Sequence, residues 1–529
     1  MADLTVLGIW DGHDAGVALV HKGALIFALS EERVSRKKRA SGFPFLSLES
    51  CLSTCSVDPA AIDVVAMPGR YGRLLHRAGD AMYRRTNSNR NPLSLSSVLA
   101  REMEVSLSRI PGLRALEYRG SRALVSKRLQ SHGVVAPLVG VDHHDAHAWT
   151  ACLGGLSEPL VVTMDGYGDG LAATFDGPGD DRETFRSPAS SVALVYGAVT
   201  RQLGYGEGDE GKVMGLAAHG NPMVLQTWFR NVMGYEACKP ALGGRIGRRT
   251  LQSHRPADVA AGLQYRTEEV VSGWIGARLG ERRQLAVSGG LFANATLNGR
   301  LASMVDQLFV FPHMGDGGLC VGAAAAVAGV VPFDMPFLGP EYDMKRLEEA
   351  CAGRPVVAYR SESPERELLD AIENGQIAAR YWGRSEFGLR ALGHRSILCR
   401  ADDPALLLKL GDQLDRDPIM PFAPIRRSGK GSKTMTVVVE ADDVLRTHCP
   451  AAVHVDGTAR TQILEEKDDS ALWSMLDEAE ARGMPALINT SFNRHGEPIV
   501  ETPEDAVESF LEARLDILQM GPWIVRRAQ

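Results

Sequence analysis

Three histidines and two aspartates fall within residues 142–147, "DHHDAH", between the apolar runs "APLVG" and "AWTACL". If a helix begins here, His143 and His147 lie about one turn apart and share a face, so two imidazoles can grip one divalent ion. Two imidazoles do not complete a site, and carboxylates must come from elsewhere. Asp165 in "MDGYGDG" and Asp316 in "HMGDGG" sit in glycine-rich turns expected to face the same cleft. Two histidines and two aspartates with an open position suit Fe2+, Mn2+ or Zn2+. On this reading His144 points away, and Asp145 is an outer partner or is simply solvated. The same spacing also fits a polar helix start that carries surface histidines.

His13 lies in another turn, "DGHDAG", where it could take a proton from a hydroxyl while Asp11 or Asp14 orients the ring. A polar turn residue is the plainer alternative. The run "EERVSRKKRASGFP" collects Arg33, Arg36, Lys37, Lys38 and Arg39. Such a run is ordinarily a solvated face, but it could bring one cation, such as Lys38, onto an anionic ligand. In the second half, "YWGRSEFGLRALGHRSILCR" spaces Arg384, Arg390 and Arg395 among glycines and apolar residues. Arginine forks suit phosphate or carboxylate, and charge this dense beside apolar residues needs anions to meet it. The alternative is a salt-bridged surface loop. "VHVDGTARTQ" and "ALINTSFNRHGEPI" follow apolar runs and add Asp456, Arg460, Asn489, Thr490, Ser491 and Asn493 as further lining.

The elements that must position these groups are those of an α/β protein. "TVLGIW", a "DGHDAG" turn and "VALVHKGALIFALSEE" read as strands that turn back at Lys22-Gly23. "LVVTMDGYGDGLAATFDG" repeats the strand, Asp-Gly turn, strand order far downstream, which points to an internal duplication. A duplicated βββαβα unit with a nucleotide in its cleft is the plan of the actin/Hsp70/sugar-kinase superfamily (ASKHA). "GEGDEGKVMGLAAHG" and "LAVSGGLFANATLN" supply glycines where backbone can approach a phosphate at a helix start. "GDGGLCVGAAAAVAGV" leads into a small-residue helix fit to pack beneath a ligand, and "VVPFDMPFLGPEY" reads as a linker. Beyond it come a helix over 365–374, the strand "QIAARYW", a helix started by Thr502, Pro503 and Asp505, and a final strand "DILQMGPWIVRR". The expected domains are 1–345 and 346–529.

At 529 residues two or three domains are expected, and a net charge of −7 gives no bulk attraction to nucleic acid or an anionic membrane. No apolar run is long enough to span a bilayer, the first residues lack a signal-peptide pattern, and the eight cysteines form no CxxC pair. A cytoplasmic protein with reduced cysteines is expected.

Taken in order, "DGHDAGVAL", "EERVSRKKRASGFP", "HHDAHA", "MDGYGDG", "GKVMGLAAHG", "SGGLFANATLN", "GDGGLCVGAA", "GRSEFGLRALGHRSIL", "HVDGTARTQ" and "INTSFN" span nearly the whole chain. The sequence resembles the O-carbamoyltransferases of the NodU/CmcH family, which decorate antibiotics and Nod factors. The resemblance implies an ASKHA-type first domain like that of tRNA threonylcarbamoylation and a YrdC-like α/β second domain. In that family carbamoyl phosphate and ATP yield carbamoyl-adenylate, and the carbamoyl group passes to a hydroxyl of a small-molecule acceptor. Carried over, His143, His147, Asp165 and Asp316 match the metal set, there usually iron, and Mg2+ would accompany ATP. His13, with Asp14, matches the candidate catalytic histidine, and Lys38 the lysine before "SGFP". Gly166, Gly168, Lys212, Gly215, Gly289, Gly290, Asn294 and Gly315 fall in the adenylate site. Arg384, Arg390, Arg395, Arg460, Asn489, Ser491 and Asn493 fall in the carbamoyl-phosphate and ATP pocket. A homodimer is expected by analogy. Two positions depart from the family pattern: Leu389 stands for a proline, and Met420 for an arginine that Arg416, Arg426 or Arg427 would have to replace.

Other readings are a sugar kinase of the same superfamily, a nucleotide-gated assembly factor with an Hsp70-like core, and a tRNA-modifying enzyme. A kinase needs neither "HHDAH" nor an arginine-rich second domain. An assembly factor calls for an apolar groove where "INTSFN" and "VDGTAR" are polar. Net negative charge weighs against tRNA, although Arg70–Arg90 is locally basic.

Overall fold

Strands Thr5–Trp10 (β1) and Gly16–His21 (β2) pair antiparallel, and Ala24–Ser30 (β3) returns beside β2. The turn between β2 and β3 falls at Lys22 and Gly23, both with positive φ (50° and 75°), the conformation that matches strand twist in a two-residue hairpin. This computed structural model describes residues 4–69, 111–179, 181–234, 245–329, 332–419 and 421–528. Val64–Pro68 (β4) and Leu138–Val141 (β5) complete a five-stranded sheet in the order β3-β2-β1-β4-β5.

Downstream, Leu160–Gly168 (β6), Leu171–Phe175 (β7), Glu183–Phe185 (β8), Gln284–Ser288 (β9) and Gln307–Val310 (β10) form a second sheet ordered β10-β9-β6-β7-β8. Each sheet has two antiparallel pairings followed across its first strand by two parallel ones. The duplication expected from two Asp-Gly turns is therefore present as two copies of one topology. Strand β1 is buried along almost its whole length, as a strand covered on both faces must be.

Small residues let the parts close up. A Cβ on Gly8 of β1 would lie 1.9 Å from the Cys320 carbonyl oxygen, and one on Gly322 would lie 1.9 Å from that of Ala146. The helix Leu319–Ala328 thus touches both β1 and the helix His143–Cys152 at backbone distance. That contact sets the separation between Asp316, just before the first helix, and the histidines of the second.

The chain divides into two compact units: Met1–Glu31 with Arg39–Asp334, and Glu32–Lys38 with Met335–Gln529. The division falls inside the proline-rich stretch read as a linker. Residues Glu32–Lys38, expected within 1–345, belong to the second unit. There Arg33 donates to the Glu386 carbonyl at 3.0 Å and Arg36 to those of Ile499 and Pro498 at 2.8 and 2.9 Å.

The second unit carries an eight-stranded mixed sheet. From edge to edge it runs Val356–Arg360, Trp523–Arg527, Ile517–Met520, Ala378–Tyr381, Arg395–Arg400, Leu487–Ser491, Ala423–Arg426 and Gln462–Ile463. The segment expected as one final strand is a hairpin of two, because Gly521 (φ 55°) turns the chain. The helix Pro364–Glu373 stands where a helix was expected. Thr502 and Asp505 exchange the two bonds of a capping box at the start of Pro503–Glu512. Among the described residues no helix is long and apolar enough to cross a membrane.

Candidate metal centre and arginine site

The helix His143–Cys152 starts where strand β5 ends, and its first amide is satisfied from another element. The His143 N–H donates to Asp169 Oδ2 at 2.9 Å, while Asp142 makes no side-chain cap. His143 and His147 then point the same way, with ring centroids 4.9 Å apart. Their Nε2 atoms meet Asp316 Oδ1 at 3.6 and 3.5 Å, and His143 Nε2 lies 3.5 Å from Asp165 Oδ2. One ligand atom from each of these four residues falls within 4.8 Å of the others.

A divalent ion fits this set. His143 Nε2, His147 Nε2 and Asp316 Oδ1 are buried atoms without a hydrogen-bond partner, a disposition that burial penalises unless something else is coordinated there. Burial pulls the His143 pKa down, but Asp316, Asp165 and Asp169 outweigh it and lift it to about 9. Burial likewise opposes the Asp316 charge, yet His13 and His143 hold its carboxyl well below the usual range. A cation would replace the shared protons, so affinity must rise with pH.

Outer contacts fix each ligand. Asp165 divides its oxygens, Oδ2 facing His143 and Oδ1 accepting the Gly290 N–H at 2.8 Å. Its carbonyl accepts the Ser191 hydroxyl at 2.9 Å. His147 Nδ1 lies 3.3 Å from Ser288 Oγ, which is also bonded to Thr150 at 2.8 Å. His144 is turned away: its Nε2 lies 3.1 Å from the Leu171 carbonyl, so Nε2 carries the proton and Nδ1 accepts from Thr163 at 2.6 Å. Burial keeps that ring neutral. Asp145 pairs with Arg182 rather than with a ligand.

His13 stands at the edge of this centre. Its Nε2 is 3.0 Å from Asp316 Oδ2 and its Nδ1 is 2.9 Å from Asp14 Oδ2. Partial burial lowers its pKa, but Asp316 and Asp14 together raise it well above the ordinary value. The half-exposed ring is thus placed to hold or release a proton at Nε2.

The second unit holds a different arrangement. Arg390, Arg416 and Arg460 are half-buried neighbours, and Arg390 depresses both of the others. Burial alone brings Arg390 to about 10. Burial with Arg390 brings Arg416 to about 10, and burial with both neighbours lowers Arg460 further. No carboxylate figures among these influences. Among the described residues Arg390 and Arg460 have no hydrogen-bond or ion-pair partner, whereas Arg416 donates to Thr490 Oγ1 and the Pro421 carbonyl, both at 2.9 Å. Three neighbouring guanidinium groups that meet no carboxylate suit a small multivalent anion.

Residues 5–325 match the family described as Carbamoyltransferase N-terminus, and residues 369–527 match Carbamoyltransferase C-terminus. The chain belongs to the carbamoyltransferase family. Nodulation protein NolNO of Sinorhizobium fredii is 30% identical over 97% of this chain and 79% of that protein. Nodulation protein NolO of Bradyrhizobium diazoefficiens is 32% identical over 73% of this chain and 79% of its own length. Among solved structures, component A of (R)-2-hydroxyglutaryl-CoA dehydratase from Acidaminococcus fermentans overlays with a TM-score of 0.37 at 12% identity, covering 61% of this chain and 97% of that one.

In this carbamoyltransferase several residues expected to meet ligands have protein partners as well. Gly168 and Gly289 leave room for protein: a Cβ on Gly168 would lie 2.2 Å from the His143 ring, and one on Gly289 2.2 Å from the Met164 carbonyl oxygen. Gly290 serves Asp165. Gly166 and Gly315 have looser surroundings, with 3.6 Å to Leu194 and 3.9 Å to Gly290. Asn294 caps the helix Ala295–Ala302 and pairs with Gln264 through both amide atoms. Lys212 pairs with Asp209 at 3.0 Å, and Gly215 is buried in the helix Glu210–Ala217.

Lys38 is half-exposed and pairs with Glu32 at 3.0 Å in the second unit; the cation beside Asp14 is Arg39, at 3.9 Å. Of the expected arginine triad, Arg390 is the one that neighbours Arg416 and Arg460. Arg384 donates to the Gly339 and Leu338 carbonyls, at 2.8 and 2.6 Å. Arg395 is fully buried, stacks 3.7 Å from the Tyr381 centroid and donates to the Trp382 and Gly383 carbonyls. Asn489 braces the loop by donating to the Ala391 carbonyl at 3.3 Å and to Gln462 at 2.7 Å. Asn493 holds its own turn through the Arg494 and Glu497 carbonyls, and Ser491 ends its strand. Exposed Leu389 sits beside Arg390; Met420 and Arg70–Arg90 lie outside the described residues.

Sequence reasoning missed Glu386. Its Oε1 gathers the N–H groups of Leu392, His394 and Arg395 at 2.8, 3.0 and 3.0 Å, closing the loop that presents Arg390. An isolated glutamate inside an arginine-rich apolar segment was the available signal.

Proposed function

We propose that this protein is an ATP-dependent O-carbamoyltransferase that draws its carbamoyl group from carbamoyl phosphate. The observation that carries the reading is the Arg390, Arg416 and Arg460 receptor, whose three charges meet no carboxylate. Carbamoyl phosphate is a small dianion, and this receptor neutralises it while phosphate departs as water attacks. The released carbamate attacks the α-phosphorus of Mg2+-bound ATP through an oxygen, and pyrophosphate leaves with the electrons of the broken P–O bond. Carbamoyl-adenylate then serves the first unit. There the oxygen of an acceptor alcohol bonds the carbamoyl carbon, AMP leaves, and the hydroxyl proton passes to a base.

The second unit is on this reading YrdC-like, and the first is an ASKHA unit whose four ligands hold iron. The ion would supply Lewis-acid polarisation of the carbamoyl carbonyl. The chain's own residues do the rest. His13 Nε2 handles the acceptor proton while Asp14 holds Nδ1, and the contacts of Ser288 with His147 and of Gly290 and Ser191 with Asp165 keep the ligands aimed. The acceptor is a hydroxyl-bearing small molecule such as a natural product or sugar, and the setting is cytoplasmic.

The test needs no acceptor. Purified protein is incubated with ATP, Mg2+ and carbamoyl phosphate, and AMP, pyrophosphate, ADP and phosphate are quantified. AMP and pyrophosphate should appear only with carbamoyl phosphate and fall at least about tenfold in Arg460→Gln. ADP formed whether or not carbamoyl phosphate is present would refute the reading and favour a kinase or ATPase.

A further inference from the structure

Residues 39–41 run beside the turn that carries His13. The Ala15 N–H donates to the Ala40 carbonyl at 2.9 Å, and His13 pairs with Ser41 as an isolated antiparallel bridge. Arg39 itself has φ 54°, a left-handed conformation unfavourable to a side chain that bears a Cβ. Such a conformation persists where surrounding contacts over-determine it. The backbone ties at Ala40 and Ser41 flank it, and its side chain meets two carboxylates: Arg39 Nε lies 3.9 Å from Asp14 Oδ1, and its Nη2 lies 3.2 Å from Glu207 Oε1. Gly208 makes room for them, because a Cβ there would stand 3.1 Å from Arg39 Nη1.

The result is an unbroken line of alternating charge within the first unit. Arg201 meets Glu207 at 3.1 Å, Glu207 meets Arg39, and Arg39 meets Asp14. Asp14 meets His13 at 2.9 Å, and His13 meets Asp316 at 3.0 Å. Asp14 divides its oxygens, Oδ2 accepting from His13 Nδ1 and Oδ1 facing Arg39, so its rotamer is set from both sides.

We infer that Arg39 is a positioning residue for carbamoyl transfer: it holds Asp14, which in turn fixes the orientation of His13 toward the acceptor. Lys38, the neighbouring cation, does not serve this purpose, since it pairs with Glu32. Arg39 reaches the reacting atoms through two other side chains. Its loss therefore impairs transfer and leaves adenylate formation in the second unit intact. The inference rests on the function proposed above.

Two readouts separate its failure from that of the wider reading. Exchange of labelled pyrophosphate into ATP, dependent on carbamoyl phosphate, reports adenylation; AMP release with water as acceptor reports transfer. Arg39→Gln should lower AMP release by about ten- to a hundredfold, the range for outer-shell partners, at unchanged exchange. Arg39→Lys should recover most of the loss. AMP release at the wild-type rate, or exchange falling in parallel, would overturn the inference. Absence of exchange in the wild-type protein would instead refute the proposed function. Arg39 would then be judged by a third readout, carbethoxylation of His13 followed by peptide mass. With Asp14 released from Arg39, the His13 rate in Arg39→Gln should differ several-fold from that of the wild type; an unchanged rate overturns the inference whatever the reaction.

Discussion

Replacing Gly168 with alanine isolates the geometry of the metal centre. The new methyl carbon would lie 2.2 Å from His143 Cδ2, 2.4 Å from Cγ and 2.5 Å from Nε2. Gly168 does not have positive φ, so alanine meets no backbone penalty and the effect is purely steric. An ordinary carbon contact is 3.4 Å, so the ring must retreat by about 1.2 Å, the difference between the two distances. It has little room, being buried with the Trp10 ring edge-on at a centroid distance of 6.1 Å. Metal–imidazole bonds are about 2.0–2.1 Å, and a displacement of half that length removes the ligand or strains the set. Overpacking of this kind costs about 1–3 kcal/mol. If all of it falls on the bound state, affinity weakens by about five- to 150-fold. The assay is competition between apoprotein and a chromophoric chelator for Zn2+ and Fe2+, with the melting temperature as control. Wild-type affinity in a normally folded Gly168→Ala protein would show that His143 is not held where the structure puts it, and would refute the argument.

Two further outcomes test the second unit. Asp469 is buried against Arg380, with their side chains 3% and 0% exposed, so Asp469→Asn should destabilise that unit by about 3–5 kcal/mol at neutral pH. Burial opposes the Asp469 charge, but Arg380 and His394 hold its pKa well below the ordinary carboxylate value. Its contribution is thus complete above about pH 4 and is lost as the pH falls below that, so the gap between variant and wild type in urea should narrow in acid; a constant gap contradicts the assignment. Glu386→Ala leaves three loop amides without their acceptor, a penalty of about 3 kcal/mol or more. The amides of Leu392, His394 and Arg395 should then exchange hydrogen much faster; unchanged protection would contradict the role given to Glu386.

Legibility differed sharply between kinds of residue. The four candidate metal ligands could be named from the chain because each rests on a local rule: an i, i+4 pair on a helix, and an aspartate in a glycine-rich turn that follows a strand. The duplication was visible because two similar hairpins repeat a pattern. The arginines were harder. Arg384, Arg390 and Arg395 look alike in sequence, but which carbonyls or aromatic rings lie within reach of each is a property of distant segments. Arg416, raised only as a stand-in for a missing arginine, is held by Thr490 on a strand far along the chain. The glycines are expected to face ligands, since tight turns approach phosphates; Gly168 and Gly289 also admit His143 and the Met164 backbone.

The sequence by itself determined the α/β class, the repeated unit, the helix that pairs His143 with His147, and membership of a family whose residues 5–325 and 369–527 are matched. These follow from periodicity, caps and turn chemistry, which act over a few residues at a time. Only the tertiary structure decided that Asp165 and Asp316 arrive at those histidines, that Arg39 rather than Lys38 stands beside Asp14, and that Arg460 is neighboured by Arg390 and Arg416 with no carboxylate acting on it. The physical reason is that convergence depends on backbone approach between elements far apart in sequence. Here that approach is set by Gly8 and Gly322, whose missing side chains let one small-residue helix lie against both a strand and the histidine helix.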